Sequence, residues 1–134
     1  MKAIPAVSKY MTTTPHSVGR DQTLAVAHKL MREYDIRHLP VQDGGKLAGI
    51  VTARDLALME SIAGVDPNKT TVEDVMNPNV YTVDPDAPLD EVANHMAEMK
   101  FGSAVIIQHN KVVGILTTVD VCRALAHLLH TRLK

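Results

Sequence analysis

The chain has one cysteine, Cys122, no tryptophan, three tyrosines and one phenylalanine in 134 residues. A single cysteine can neither close an intrachain disulfide nor form a CxxC metal or redox motif, so a reducing, cytoplasmic setting is expected. Tyr10, Tyr34, Tyr81 and Phe101 are too few to form a stacking platform for single-stranded nucleic acid. Neither sign of charge dominates: 14 basic residues face 15 acidic ones, the net charge is −1 with seven histidines neutral, and the basic residues are scattered. Duplex binding needs a concentrated basic face, so no nucleic-acid partner is expected. There is no apolar run of about 18 residues, and Met1–Ser8 lacks the apolar core of a leader, so the chain is expected to be soluble, unexported and without a membrane partner. Neither GxGxxG nor a P-loop occurs, and none of the four serines or Cys122 sits in a nucleophile motif with histidine, so no enzymatic role and no catalytic cofactor are expected.

Against these absences stands a repetition. A shift of 65 residues lays Met11–Asp55 on Met76–Asp120 without a gap, and eleven of the 53 pairs between Ser8–Glu60 and Glu73–Leu125 are identical. Hydrophobic residues make up 46% of the chain, enough for a core. A half of about 60 residues would bury only about 60% of its unfolded-chain surface, so each repeat gains most by packing against the other.

Leu24, Ala27, Met31 and Tyr34 fall at helical spacing, as do Leu89, Val92, Met96 and Met99 at the same phase. Pro88 suits a first helical position, with Asp86 as cap. Arg37–Asp43, Gly44-Gly45 and Lys46–Thr52 predict a β-hairpin, matched by Ser103–Gln108, His109-Asn110 and Lys111–Thr117. A second helix follows each hairpin, from Ala53 to about Ala63 and from Thr118 to about Leu129. A short extended piece precedes each first helix, near His16–Val18 and Val80–Val83. Each repeat therefore reads β-α-β-β-α. The predicted boundaries are repeat 1 at 8–64, a linker at 65–72 with its Gly-Val-Asp-Pro-Asn run, and repeat 2 at 73–130; Thr71–Met76 reads as a helical turn opening the second.

The densest identity is Gly49-Ile50-Val51-Thr52-Ala53-Arg54-Asp55, which recurs as Gly114-Ile115-Leu116-Thr117-Thr118-Val119-Asp120. It lies where a strand ends and a helix begins. The first helical N–H groups have no partner within the helix and carry partial positive charge, so an anion such as phosphate is favoured there, with the threonine hydroxyl as a further donor. Asp55 or Asp120 would repel that phosphate but suits the two hydroxyls of a ribose. The same Thr-x-x-Asp is also a capping box. On the residues alone both meanings stand.

Met11, Leu24, Met31, Ile36-Arg37-His38-Leu39-Pro40-Val41, Gly44-Gly45-Lys46-Leu47 and Gly49–Leu56 resemble a cystathionine-β-synthase (CBS) domain. The second repeat is similar, so nearly the whole chain resembles a tandem CBS pair, or Bateman module. The resemblance implies an α/β (α+β) fold of two tandem β-α-β-β-α repeats packed as an intramolecular pseudo-twofold pair. It also implies a regulatory role, with AMP, ADP, ATP or S-adenosylmethionine as ligand and an effector protein acted on in trans, since no effector domain is attached.

The resemblance further implies clefts in which the Thr and Asp of one repeat face the first strand and hairpin start of the other. Ile115, Thr117 and Asp120 would face His16, Arg37 and His38; Ile50, Thr52 and Asp55 would face Tyr81, Gly102 and Ser103. The aliphatic residue would line the adenine slot, the Thr would hold phosphate and the Asp ribose. Arg37 and His38 favour phosphate in the Asp120 cleft, whereas the Asp55 cleft has only Arg54 of its own sequence, replaced by Val119 in the other copy.

A homodimer is implied too, because Leu56, Met59 and Ile62, with Val121, Leu125 and Leu128/Leu129, give the second helices apolar stripes needing a cover. An interaction module with empty clefts is the alternative. No metal site is expected: His127 and His130, at i and i+3, read as a solvated helix end, and the methionines as core and interface filler. Cys122 is expected to be structural, in or near the helical layer.

Overall fold

The computed structural model describes residues 3–13 and 16–133. In chain order the elements are a 3₁₀ turn (Val7–Lys9), β1 (Thr12–Thr13), β2 (Val18–Gly19), α1 (Leu24–Tyr34), β3 (His38–Asp43), β4 (Lys46–Thr52), α2 (Ala53–Glu60), a second 3₁₀ turn (Val72–Asp74), β5 (Thr82–Val83), α3 (Leu89–Met99), β6 (Ser103–Gln108), β7 (Lys111–Thr117) and α4 (Thr118–Arg132). The fold is mixed α/β, and the 65-residue offset relates α1 to α3, β3 to β6 and β4 to β7 without slippage. Two compact units result, one of residues 16–80 and the other of 81–133 together with 3–13. No helix among the described residues is long and apolar enough to cross a membrane.

In the first unit β3 pairs with β2 in parallel and with β4 antiparallel, giving the order β2-β3-β4. In the second the order is β1-β7-β6-β5. Both hairpins carry a register shift at the same place, Val41/Gln42 and Ile106/Ile107. Their turns need two successive left-handed residues, supplied by Gly44 and Gly45 in one and by His109 and Asn110 in the other. Leu24, Ala27 and Met31 bury one face of α1, and Leu89, Val92 and Met96 the matching face of α3. The predicted stripes end one turn early, because Tyr34 and Met99 are exposed. Both helices close on a left-handed non-glycine residue, Asp35 and Lys100. At the start of α3, Pro88 is the cap itself and Asp86 is not; the Asp86 N–H donates to Asp84 Oδ1.

The two sequence repeats exchange their leading segments. Val7, at the start of the chain, is fully buried in the core of the second unit with Leu89, Val92, Met96, Ala104, Ile106, Leu116 and Ala124. Val72, its counterpart 65 residues on, is fully buried in the core of the first with Val18, Leu24, Leu39, Val51 and Leu56. The main-chain bonds correspond one for one. Val7 N–H donates to Ala87 O and Leu89 N–H to Pro5 O, each at 2.9 Å; Val72 N–H donates to Gln22 O at 2.8 Å and Leu24 N–H to Thr70 O at 3.0 Å. Burying a valine contributes about 1.5–3 kcal/mol, so each unit depends on residues outside its own hairpin and helix pair.

The crossing of these segments explains the repeated Met and Gly. A side chain at Gly49 would meet Met76 Sδ at 2.7 Å and the Asn77 carbonyl oxygen at 2.9 Å; at Gly114 the three nearest atoms all belong to the Met11 side chain. Methionine can turn aside, whereas a paired backbone carbonyl cannot. Gly49→Ala is therefore expected to destabilise by about 1–3 kcal/mol and Gly114→Ala by less, as read from urea unfolding midpoints.

On the second helices, Leu56 is buried while Met59, Val121 and Leu128 pack on the cores. Leu58, Ile62, Val119, Leu125 and Leu129 remain exposed, so the expected stripes are covered only in part. Cys122 lies on α4 as expected but is exposed, which gives it no structural role in the core.

Candidate functional site

Both helix starts singled out by the sequence are complete capping boxes. Thr52 N–H donates to Asp55 Oδ2 at 3.0 Å and Asp55 N–H to Thr52 Oγ1 at 3.1 Å. Thr117 N–H donates to Asp120 Oδ2 at 2.9 Å and Asp120 N–H to Thr117 Oγ1 at 3.3 Å. The hairpin starts supply a further bond, Ala53 N–H to Arg37 O at 2.9 Å and Thr118 N–H to Gly102 O at 3.1 Å. Three of the four leading amides of each helix are thereby satisfied within the protein, leaving those of Arg54 and Val119. This corrects the premise that the helix starts offer a row of free donors to phosphate. One amide, the helix dipole and nearby side chains are what remain.

The two copies differ in how much of the carboxylate is taken. Asp55 is half-buried and, among the described residues, accepts the Thr52 N–H alone, so Oδ1 is free to accept. Asp120 is only 5% exposed. Its Oδ2 also accepts the Thr117 hydroxyl at 3.1 Å, and the Thr12 hydroxyl reaches Oδ1 at 3.3 Å and Oδ2 at 3.4 Å. Thr12 was not legible as a site residue. Its neighbour Met11 was, through identity with Met76, but nothing in the sequence shows that β1 lies beside β7 with Thr12 opposite Ile115.

Within the first unit Arg37 and His38 stand at the Thr52–Asp55 helix start: His38 is paired with Thr52 across the β3–β4 ladder, and Arg37 is exposed. Burial holds the His38 imidazole below its ordinary value, outweighing the pull of the Asp55 carboxylate, and Arg37 pushes the same way as burial. His38 is therefore neutral at pH 7, and Arg37 is the cation of this group. Ile50 is half-buried on β4 and Arg54 exposed in the first turn of α2. His16 is exposed and stacked on Tyr34, with ring centroids 3.6 Å apart.

In the second unit Ser103 pairs with Thr117, and Gly102 precedes it, so no cation stands at this hairpin start. Ile115 is buried on β7. Tyr81 packs against His95 and Phe101, with centroids 4.5 and 5.7 Å away, and burial, with the Glu91 carboxylate, pushes its phenol up. It stays a neutral donor at pH 7. His127 is engaged by Tyr10, whose hydroxyl lies 2.6 Å from Nδ1.

Comparison with known proteins converges on one family. Residues 7–59 and 72–127 each match the CBS domain. Hypoxic response protein 1 of Mycobacterium tuberculosis is 37% identical over 109 residues, which are 81% of this chain and 76% of that protein. The CBS domain pair of protein MJ0100, solved in complex with 5′-methylthioadenosine and S-adenosyl-L-methionine, superposes with a TM-score of 0.84 at 31% identity, covering 93% of this chain and 98% of that one. CBSX2 in complex with AMP gives 0.78 at 28% identity, covering 92% and 98%. The duplicated sequence, the two like units and these matches place the chain in the CBS domain family, as a tandem pair of CBS domains.

Proposed function

We propose that the chain is a non-catalytic regulatory module that binds an adenosine compound and conveys the energy or metabolite state of the cell to a partner protein in trans. The observation that carries this reading is the twinned Thr–Asp helix start, one copy of which is a half-buried aspartate with one carboxylate oxygen free to accept. The ligands of the related structures, 5′-methylthioadenosine, S-adenosylmethionine and AMP, share adenine and a ribose diol and differ in charge. A carboxylate that accepts the diol serves all three, and a cation then selects among them. The pairing implied by the family is part of the proposal: Ile115, Thr117 and Asp120 with His16, Arg37 and His38, and Ile50, Thr52, Arg54 and Asp55 with Tyr81, Gly102 and Ser103.

Signalling requires the ligand to bind two arrangements of the protein unequally, since a ligand that binds both alike shifts nothing. We propose a homodimer as the assembly that carries such arrangements, with the exposed Leu58, Ile62, Val119, Leu125 and Leu129 as its apolar contacts. Monomer mass at micromolar concentration in ultracentrifugation would count against it.

The complete capping boxes and exposed apolar residues also suit a purely structural interaction module. Thermal melting separates the two readings. Saturating AMP, ADP, ATP or S-adenosylmethionine should raise the melting temperature, with GMP as control, because stabilisation grows as RT ln(1 + [L]/Kd). No shift with any adenosine compound would leave the structural reading.

A further inference from the structure

We propose that Thr12 sets the affinity of the Asp120 carboxylate for a ribose, its hydroxyl acting as a resident competitor that the ligand's diol must displace. The proposal rests on the nucleotide reading above and concerns one site within it. Three polar hydrogens converge on Asp120: the Thr117 N–H and O–H on Oδ2, and the Thr12 O–H shared between Oδ1 and Oδ2. The Thr117 pair belongs to the helix cap and stays with it. The Thr12 hydroxyl is the one that covers Oδ1, the oxygen left for a ligand.

The other repeat lacks this arrangement. Asn77 corresponds to Thr12, and its backbone bonds Ile50 in both directions, at 3.0 and 2.8 Å, as the register of Thr12 with Ile115 requires. Its side-chain oxygen instead accepts the Asn79 N–H at 3.0 Å. Asp55 is correspondingly half-buried, with a free oxygen, where Asp120 is buried.

The geometry of the Thr12 contact suits displacement. At 3.3 and 3.4 Å, split between two oxygens, it is weaker than the 2.9 Å bond from Thr117 N–H. Thr12 is exposed on a two-residue strand, so its hydroxyl can rotate into solvent while the main chain holds β1 in place. A ribose with two hydroxyls replaces the lost bond and adds another; a deoxyribose only replaces it. Thr12 thus lowers the affinity for ribose and deoxyribose ligands alike, by the one bond that each must displace.

Calorimetric titration of AMP and 2′-deoxy-AMP into the wild type, Thr12→Val, Thr12→Ser and Thr12→Val/Asp120→Asn tests this. Thr12→Val should bind AMP and 2′-deoxy-AMP each about two- to tenfold more tightly, because neither ligand any longer displaces a hydrogen bond. Its ligand-free melting temperature should fall, since a buried carboxylate oxygen loses its partner. Thr12→Ser, which restores the hydroxyl, should return both values towards wild type, and Asp120→Asn should abolish the gain. Equal or weaker AMP binding by Thr12→Val, in a wild type that does bind AMP, overturns the proposal and leaves the nucleotide reading intact. Absence of AMP binding in both proteins overturns the AMP form of that reading, and the proposal with it.

Discussion

Asp120→Ala is expected to lower the unfolding free energy by about 2–3 kcal/mol, against about 1 kcal/mol for Asp55→Ala. The substitution at Asp55 removes one side of a capping box at a half-exposed helix start, where water can replace the carboxylate. At Asp120 it strands the N–H and hydroxyl of half-buried Thr117 beside a carboxylate position buried from water, while the exposed Thr12 hydroxyl turns to solvent. Unsatisfied buried donors carry the desolvation cost, which is why the two copies of one motif should differ. Urea denaturation read at fixed pH checks it; equal losses at the two positions would show that burial of Asp120 adds nothing. Taken from sequence alone, capping and ligand binding make opposite forecasts for Asp120→Asn, a less stable apo protein in one case and an unchanged one in the other. The structure places both demands on one carboxylate, so lost stability no longer argues against ligand binding, and only the ligand-dependent part of melting is diagnostic.

Arg37→Ala is expected to weaken ATP binding by about ten- to hundredfold, AMP by less, and adenosine hardly at all. Two findings concentrate the effect on this residue. His38, the other candidate cation, is kept neutral at pH 7 by burial, and the leading amides that might have held phosphate are largely spent on Arg37 O, Gly102 O and the capping boxes. Phosphate recognition then falls to a side chain whose charge is permanent. Because Arg37 is exposed, its loss should leave the apo melting point within about 0.5 kcal/mol of wild type, so binding can be read without a folding defect. Equal losses across ATP, AMP and adenosine would remove Arg37 from the site.

The β-α-β-β-α order of each repeat, the two-residue hairpin turns and the helix phases were legible because periodicity and turn residues are local, and the duplication states each of them twice. Local rules also found the Thr–Asp helix starts. Tyr34 and Met99 were misplaced because helical spacing alone does not show where a core ends. The exchange of leading segments was hidden for a different reason. Val7 and Val72 look like ordinary valines beside short turns, and their backbone partners Ala87 and Gln22 lie 80 residues away in one case and 50 in the other, joined by bonds that carry no side-chain signature. Thr12 was missed with them. The spent amides were missed because Arg37 O and Gly102 O are backbone atoms, brought to the helix starts by the hairpins rather than by any residue type.

Calorimetric titration of the wild-type protein with AMP and with 2′,3′-dideoxy-AMP tests the central claim most directly, because it changes the ligand and leaves every cap in place. If a Thr–Asp carboxylate receives the ribose diol, AMP should bind and the dideoxy compound should bind about ten- to hundredfold more weakly, the loss of a charge-assisted bond. Equal affinities for the two compounds, or no heat from either, would contradict it and return both helix starts to capping alone.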